Sequence, residues 1–129
     1  MIKNVMRDKV ITVKPETPLK QAIELLISHK ISGLPVVDEG SGLLGMITEK
    51  DLLNILSDDR AKYRTVEDLM VREVRSFQVT DSLDAVCDCL LANNFRRVPI
   101  LEGDRLVGLV SRADLMSVIL ELVLEKNVP

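Results

Sequence analysis

The chain has 129 residues, of which 47% are apolar and 2% aromatic, and its formal net charge is −3. This length suits one compact domain or two very small ones, and the apolar fraction is ample for an aliphatic core. The interspersed charges argue against a general nucleic-acid-binding protein. No segment approaches the roughly 18 apolar residues of a membrane span, and the N-terminus lacks the apolar run of a signal peptide, so we expect a cytoplasmic protein.

The sequence is an internal duplication, and the repeat decides how every other pattern is interpreted. A shift of 64 places Met6 on Met70, Leu19 on Leu83 and Leu26 on Leu90. After Pro35 the shift is 63, because the first copy has one more residue in the turn that follows. We therefore divide the chain into a first repeat, 1–62, and a second repeat, 63–129.

Each repeat begins with a short predicted strand and a helix-start signal. The strands are predicted over 10–13 and 74–79. In the first repeat, Thr17 is the predicted helix cap, with Pro18 at the first helical position. In the second repeat, Asp81 is the predicted cap.

The segment after each signal has apolar residues at the 3.6-residue period of a helix. The matched positions are Leu19, Ala22, Ile23 and Leu26 in the first repeat and Leu83, Val86, Cys87 and Leu90 in the second. Side chains two residues apart on a helix point in nearly opposite directions. Cys87 and Cys89 are therefore predicted to be small apolar residues, not a metal site or a disulfide.

Two apolar strands and a final helix complete each repeat. The strand pairs LPVVD with LLGMIT, and VPILE with LVGLVS, are separated by short Gly-containing turns, which predict hairpins. Final helices are predicted over 49–56 and 112–126, and the acidic run at 57–60 is interpreted as a solvated linker. A unit of about 50 residues rarely buries enough surface alone. We therefore predict a mixed α/β (α+β) fold in which two β-α-β-β-α repeats pack through their sheets with pseudo-twofold symmetry.

The candidate site is the stretch GMITEKD, which ends at Asp51 and returns as GLVSRAD, which ends at Asp114. Thr48 with Asp51, and Ser111 with Asp114, resemble capping boxes at the start of the final helices. Capping gives no reason for the strand glycine, which marks close approach by a ligand or another backbone. Alternatively, the helix N-terminus binds phosphate and the aspartate accepts ribose hydroxyls, as in a nucleotide site. Both interpretations stay open from chemistry alone.

Two complete sets of motifs make each repeat resemble a CBS domain, and the pair resembles a Bateman module. The motifs are VM and LM, then HKISGLPVVD and FRRVPILE, then GMITEKD and GLVSRAD. The resemblance implies two clefts between the repeats that bind AMP, ADP, ATP or S-adenosylmethionine. It also implies a regulatory protein that signals to an unidentified partner.

Carried over residue by residue, the resemblance implies that each cleft takes residues from both repeats. The first cleft would use Ile11, Ile31, Ser32, Ser111 and Asp114. The second cleft would use Arg75, Phe95, Arg96, Thr48 and Asp51, with Arg97 as a further phosphate contact. Arginine forks suit phosphate oxygens. Arg75 departs from the small or apolar residue usual in the family and would obstruct adenine.

Three functions compete for this sequence: a stand-alone regulatory module, a ligand-free dimerisation scaffold, and an enzyme acting on nucleotides. The repeated aspartates favour the first over the second. No nucleophile–base pair or metal cluster supports the third, so no catalytic or metal-binding residue is predicted. Apolar residues cover most of the circumference of the helix at 115–126, which requires a partner surface. This pattern fits the family habit of pairing modules, and it predicts a homodimer through the terminal helices.

Overall fold

The structure is a computed structural model, and it describes residues 1–57, 59 and 62–126. Positions 58 and 60 of the predicted acidic linker lie outside the described residues, as do 61 and 127–129. The interpretation of the run at 57–60 as a linker therefore stays a prediction.

Two compact units divide the chain, and their boundaries do not follow the order of the repeats. The first, which we call the central unit, is continuous over 11–74. The second, the terminal unit, joins 1–10 to 75–129. Each unit thus combines the body of one repeat with the leading segment of the other. The division of the sequence at 62 stays a prediction about the repeats.

Helices and strands alternate as the repeat pattern predicts, which confirms a mixed α+β fold. The helices are α1 (Ile2–Val5), α2 (Leu19–His29), α3 (Glu49–Leu53), α4 (Leu83–Asn93) and α5 (Arg112–Lys126). The strands are β1 (Gly33–Val37), β2 (Leu43–Thr48), β3 (Phe77–Gln78), β4 (Arg97–Glu102) and β5 (Arg105–Ser111). Short 3-10 helices cover Asn54–Ser57, where the predicted final helix of the first repeat tightens, and Val66–Asp68. None of the helices within the described ranges combines the length and apolar character needed to cross a bilayer.

Both predicted hairpins are confirmed. In the central unit β1 pairs antiparallel with β2, with Gly33 opposite Thr48. In the terminal unit β4 pairs antiparallel with β5, with Arg97 opposite Ser111, and β3 adds to β4 in parallel. The register brings the start of the first hairpin strand next to the end of the second strand. The last helix of each repeat starts at that point.

The first predicted strand of each repeat is shorter than expected. The segment at 10–13 makes one parallel bridge, between Val13 and Val36, and the segment at 74–79 keeps only β3. In both segments most of the unpaired residues precede the paired ones, and a side-chain hydrogen bond closes a turn at the end of the pairing. Lys14 N–H donates to Thr17 Oγ1 (3.0 Å), and Gln78 N–H donates to the Asp81 carboxylate (2.8 Å).

These same turns explain why the predicted helix caps were wrong. Thr17 and Asp81 close the turns before the helices, so neither caps a helix. The N-cap of α2 is Pro18, which has no side-chain hydrogen bond to offer. The N-cap of α4 is Ser82, whose hydroxyl accepts from the Ala85 amide (3.2 Å). Turn closure and capping compete for the same short polar side chains.

Each unit has its own aliphatic core. The central core consists of Val13, Leu19, Ala22, Leu26, Leu34, Val36, Ile47, Val66 and Met70. The terminal core consists of Ile2, Val86, Cys89, Leu90, Val98, Ile100, Val110 and Leu115. Cys89 is buried there, and Cys87 packs against it with both thiols free, which confirms the apolar interpretation. Val66 and Ile2 are fully buried, and each comes from the leading segment of the other repeat.

The leading segments dock on the hairpins through backbone hydrogen bonds. Met46 and Val71 exchange two such bonds of 2.8 and 2.9 Å in the central unit. Arg7 and Leu109 exchange two of 2.8 and 3.0 Å in the terminal unit. The shift of 64 relates Arg7 to Val71, and the shift of 63 relates Met46 to Leu109. The two docking sites are therefore copies of one interaction.

The strand glycines permit this docking. A methyl group at Gly45 would overlap the carbonyl oxygen of Val71, and one at Gly108 would lie 2.9 Å from the carbonyl oxygen of Arg7. The close approach inferred from sequence is thus made by another backbone, and the glycine of GMITEKD has a structural role.

We expect Gly45→Ala to lower the free energy of unfolding by about 1–3 kcal/mol, because the obstacle is a backbone oxygen that cannot rotate away. Urea denaturation would measure the loss. Gly40→Ala is the matched control, since its new methyl would meet only Asp38 Oδ1 at an ordinary 3.6 Å. Equal stability of the two variants would show that the docked segment is not held tightly.

Candidate functional site

In the central unit, Thr48 and Asp51 form a reciprocal capping box at the start of α3. The Asp51 N–H donates to Thr48 Oγ1 (3.4 Å), and the Thr48 N–H donates to Asp51 Oδ2 (2.9 Å). The Thr48 hydroxyl also donates to Asp51 Oδ2 (2.9 Å). The capping interpretation is therefore correct, although a box normally uses the longer Glu or Gln.

In the terminal unit, Ser111 and Asp114 repeat the box at the start of α5. The Asp114 N–H donates to Ser111 Oγ (3.1 Å), and the Ser111 N–H donates to Asp114 Oδ2 (2.8 Å). Asp114 occupies the first turn of a 15-residue helix, where a negative charge is favourable.

The two aspartates differ in what their second carboxylate oxygen does. Asp51 Oδ1 accepts no hydrogen bond from any residue that the structure describes. Asp114 Oδ1 accepts from Arg7 Nε at 3.2 Å. The Asp114 side chain is 11% exposed, whereas the Arg7 side chain is 74% exposed. The same cap thus leaves one carboxylate oxygen available in the central unit and pairs it with a cation in the terminal unit.

The other predicted site residues of the central unit are Ile11, Ile31 and Ser32. Ser32 accepts from the Glu49 amide through its carbonyl (2.9 Å), and the next residue, Gly33, is opposite Thr48 in the hairpin. Ile11 and Ile31 are partly buried against the central core. Ser32 thus lies beside the cap, whereas Ile11 and Ile31 pack against the core of the same unit.

In the terminal unit, Arg97 is opposite Ser111 in the hairpin and is partly buried. The Arg96 carbonyl accepts from the Arg112 amide (3.1 Å), so Arg96 adjoins the start of α5. Phe95 is 38% exposed at the end of the α4–β4 connection. Arg75 is exposed in the same unit. The sets that combine residues from both repeats stay predictions.

Positive charges act on one another around Asp114. Burial lowers the pKa of the Arg97 guanidinium below its ordinary value, and the positive charges of Arg96 and Arg7 lower it further. The Asp114 carboxylate opposes them and raises the pKa of Arg97. Sequence reasoning missed Arg7. The repeat alignment could have identified it, because the alignment places Arg7 opposite Val71, so the second repeat has no cation at this position.

Arg112 was also missed, and its role is structural. Its Nε donates to the Phe95 carbonyl (2.8 Å), and its terminal amino group donates to the Leu90 carbonyl (2.8 Å) and to Asn94 Oδ1 (3.3 Å). The guanidinium thus satisfies one carbonyl in the last turn of α4 and one just beyond its C-terminal end, where Asn94 adopts the left-handed conformation. Because its guanidinium already donates to these three acceptors, Arg112 is not a candidate ligand contact.

Across the part of the chain that the structure describes, no three His, Cys, Asp or Glu side chains are grouped to hold a metal ion. The site is built instead from capped helix starts, short hydroxyls, carboxylates and arginines. Such groups suit a small polar ligand with hydroxyls and an anionic group.

The chain contains two copies of a hairpin followed by a helix whose start is capped by a hydroxyl and an aspartate. It belongs to the CBS domain family. The family's sequence model matches twice, over residues 2–58 and 66–121. The resemblance inferred from the motifs is therefore confirmed.

Relatives and solved structures support the same fold. The uncharacterized protein MJ1225 of Methanocaldococcus jannaschii is 28% identical over 118 residues, and the alignment covers 92% of this chain but 42% of the relative. One matching structure is that of CBSX2 in complex with AMP, with a TM-score of 0.85 and 28% identity over 94% of this chain and 96% of that one. A protein named CBSX2 is among the relatives from Arabidopsis thaliana. The CBS domain pair of protein MJ0100, in complex with 5′-methylthioadenosine and S-adenosylmethionine, matches with a TM-score of 0.80 and 28% identity over 92% and 94% of the two chains.

We expect Thr48→Ala to lower the free energy of unfolding by about 1 kcal/mol, since it removes the acceptor of the Asp51 amide. Thr48→Ser keeps the hydroxyl and should cost much less. Thermal denaturation of both variants would measure the cap separately from any ligand. A Thr48→Ala variant as stable as the wild-type protein would contradict a capping role.

Proposed function

We propose that the protein is a regulatory module that binds an adenosyl ligand, namely AMP, ADP, ATP or S-adenosylmethionine. The observation that carries the proposal is the carboxylate of Asp51, which uses one oxygen for the cap and keeps the other available beside a helix start. A carboxylate in this state accepts vicinal ribose hydroxyls readily. The likeness to chains solved with AMP and with S-adenosylmethionine supports the adenosyl class.

The proposed roles follow the chemistry of each side chain. Asp51 and Asp114 accept ribose hydroxyls, and the neighbouring hydroxyls of Thr48 and Ser111 hold the carboxylates in place. Ile11, Ile31 and Phe95 offer apolar surface to adenine, with Ser32 as a small polar neighbour. Arg96 and Arg97 are the proposed phosphate contacts, because a guanidinium fork matches phosphate oxygens. Arg75, which is exposed, would obstruct adenine in the second of the two proposed clefts.

Regulation rather than catalysis is the proposed output. A ligand shifts a conformational equilibrium only by its difference in affinity between two states. We propose that the ligand binds one of two states of the module more tightly and so favours it. We propose that the resulting change is passed to a partner protein in the cytoplasm.

We further propose that α5 forms a homodimer with a second copy of the chain. Leu115 is the buried anchor of α5 in the terminal core, yet many of its other large apolar residues are exposed. These are Met116, Ile119, Leu120, Leu122, Val123 and Leu124, each at least 44% exposed. An apolar surface of this kind on one helix favours a protein contact over solvent. A dimer without a ligand is the alternative function that this observation supports.

For the ligand, we expect at least one of AMP, ADP, ATP and S-adenosylmethionine to raise the melting temperature of ligand-free protein. A ligand at 100 times its dissociation constant stabilises by about 2.7 kcal/mol. Asp51→Asn should keep much of the cap but weaken ligand binding. Asp68→Asn is the control, because Asp68 also belongs to a capping box, and it should leave ligand binding unchanged. Absence of a shift for all four ligands would leave the dimer as the function.

For the dimer, we expect Leu120→Glu combined with Leu124→Glu to convert the protein to a monomer, because buried carboxylates would lose hydration. Sedimentation equilibrium would measure the molecular mass. Glu121→Lys combined with Glu125→Lys changes the same helix without touching its apolar residues and serves as the control. A wild-type protein that sediments as a monomer would refute the dimer.

A further inference from the structure

Three large apolar side chains are exposed at matched positions in both units. Ile27 in α2 is 71% exposed, and its counterpart in the repeat alignment, Leu91 in α4, is 72% exposed. The central apolar set consists of Ile27, Leu53 and Leu56, and the terminal apolar set of their counterparts Leu91, Met116 and Ile119. Core packing does not require an apolar residue at positions as exposed as these.

Two other exposed positions of the same helices have changed character between the repeats. Lys20 in α2 corresponds to Asp84 in α4, which reverses the charge, and Ser28 corresponds to Ala92. A single exposed apolar residue is common on a protein surface and needs no explanation. Three that recur at matched positions, among neighbours that have changed, indicate a surface with a role in both units.

The charges beside the two apolar sets differ in balance. Residues three and four apart share a helix face, so Lys20 and Glu24 lie on the face of α2 that carries Ile27. These two form a loose ion pair (4.0 Å) in which the lysine side chain is 89% exposed. The central apolar set therefore has a cation beside it that is weakly held.

The corresponding face of α4 carries two aspartates and no cation. Asp84 and Asp88 are exposed at the positions of the α2 ion pair, and Leu91 follows on the same face. Neither aspartate makes an ion pair with any residue that the structure describes. Like charges four residues apart destabilise a helix, so a cation from another molecule would be favourable there.

We propose that the central apolar set of one copy of the chain docks on the terminal apolar set of a second copy. Lys20 of one copy then faces Asp84 and Asp88 of the other, and a twofold axis generates the reciprocal contact. Contact between two terminal sets would instead bring four aspartates together, which like-charge repulsion disfavours. The inference rests on the homodimer proposed above and adds which units meet in it.

Disulfide cross-linking between two variants tests this pairing. One chain carries Ile27→Cys and the other Leu91→Cys, and both carry Cys87→Ala to remove the more accessible native thiol. After subunit exchange and oxidation, the mixture should give a covalent dimer in much higher yield than either variant alone, because unlike positions meet. The chain with Cys87→Ala alone is the control for the buried thiol of Cys89.

The other outcomes separate this inference from the homodimer itself. A covalent dimer formed by either variant alone, at the yield of the mixture, would overturn the proposal, because like units would then meet. Absence of cross-linking in every sample, with wild-type protein that sediments as a dimer, would overturn the pairing and leave the homodimer with another interface. Wild-type protein that sediments as a monomer would refute both.

Charge reversal gives a second measurement that does not require a covalent bond. Asp84→Lys combined with Asp88→Lys should raise the dimer dissociation constant roughly tenfold at low ionic strength. Lys20→Glu added to the same chain should recover most of the loss, because opposite charges again face each other. Asp8→Lys combined with Glu73→Lys is the control, since it changes the net charge equally at exposed positions outside the helices. A loss that Lys20→Glu does not recover would contradict the pairing of unlike units.

Discussion

The antiparallel contact between each leading segment and a hairpin is the constraint on which both units depend. Two backbone hydrogen bonds at Val71 and two at Arg7 fix the segments, and a strand glycine gives them room. Because the segment that docks on the second hairpin begins the chain, the terminal unit is closed by residues that are distant in sequence. Val66 and Ile2 then complete the two cores. The shift of 64 aligns Ile2 with Val66, so each unit buries this residue from the other repeat's leading segment.

Docking also determines the chemistry beside each helix cap. The bridge uses backbone atoms only, so the identity of the residue that makes it is free to vary. In the central unit it is Val71, and Asp51 retains an available oxygen. In the terminal unit it is Arg7, and Asp114 gains a cation. Duplication thus preserved a backbone interaction and changed a site through one side chain.

Repeat alignment predicted the hairpins, the helices α2 to α5 and the inert cysteines, and it offered the capping boxes as one of two interpretations, because these depend on local pattern and on matched positions. It did not predict α1. It did not predict which short polar residue closes a turn and which caps a helix, since Thr17 and Asp81 suit either role. It left the strand glycines open between a ligand and a backbone. Only the fold shows that residues 107 positions apart, Arg7 and Asp114, share an ion pair. Contacts at such separation leave no local pattern.

The aspartate at each helix cap has a structural role and is also a proposed ligand contact. Each capping aspartate commits Oδ2 to the amide of the hydroxyl residue, and its short side chain holds the second oxygen close to the helix start. A longer glutamate would satisfy the cap with more rotamer freedom and a less fixed second oxygen. A cap therefore does not compete with a binding role. It fixes the carboxylate in advance, and a carboxylate fixed in this way would lose less conformational entropy on binding the proposed ligand.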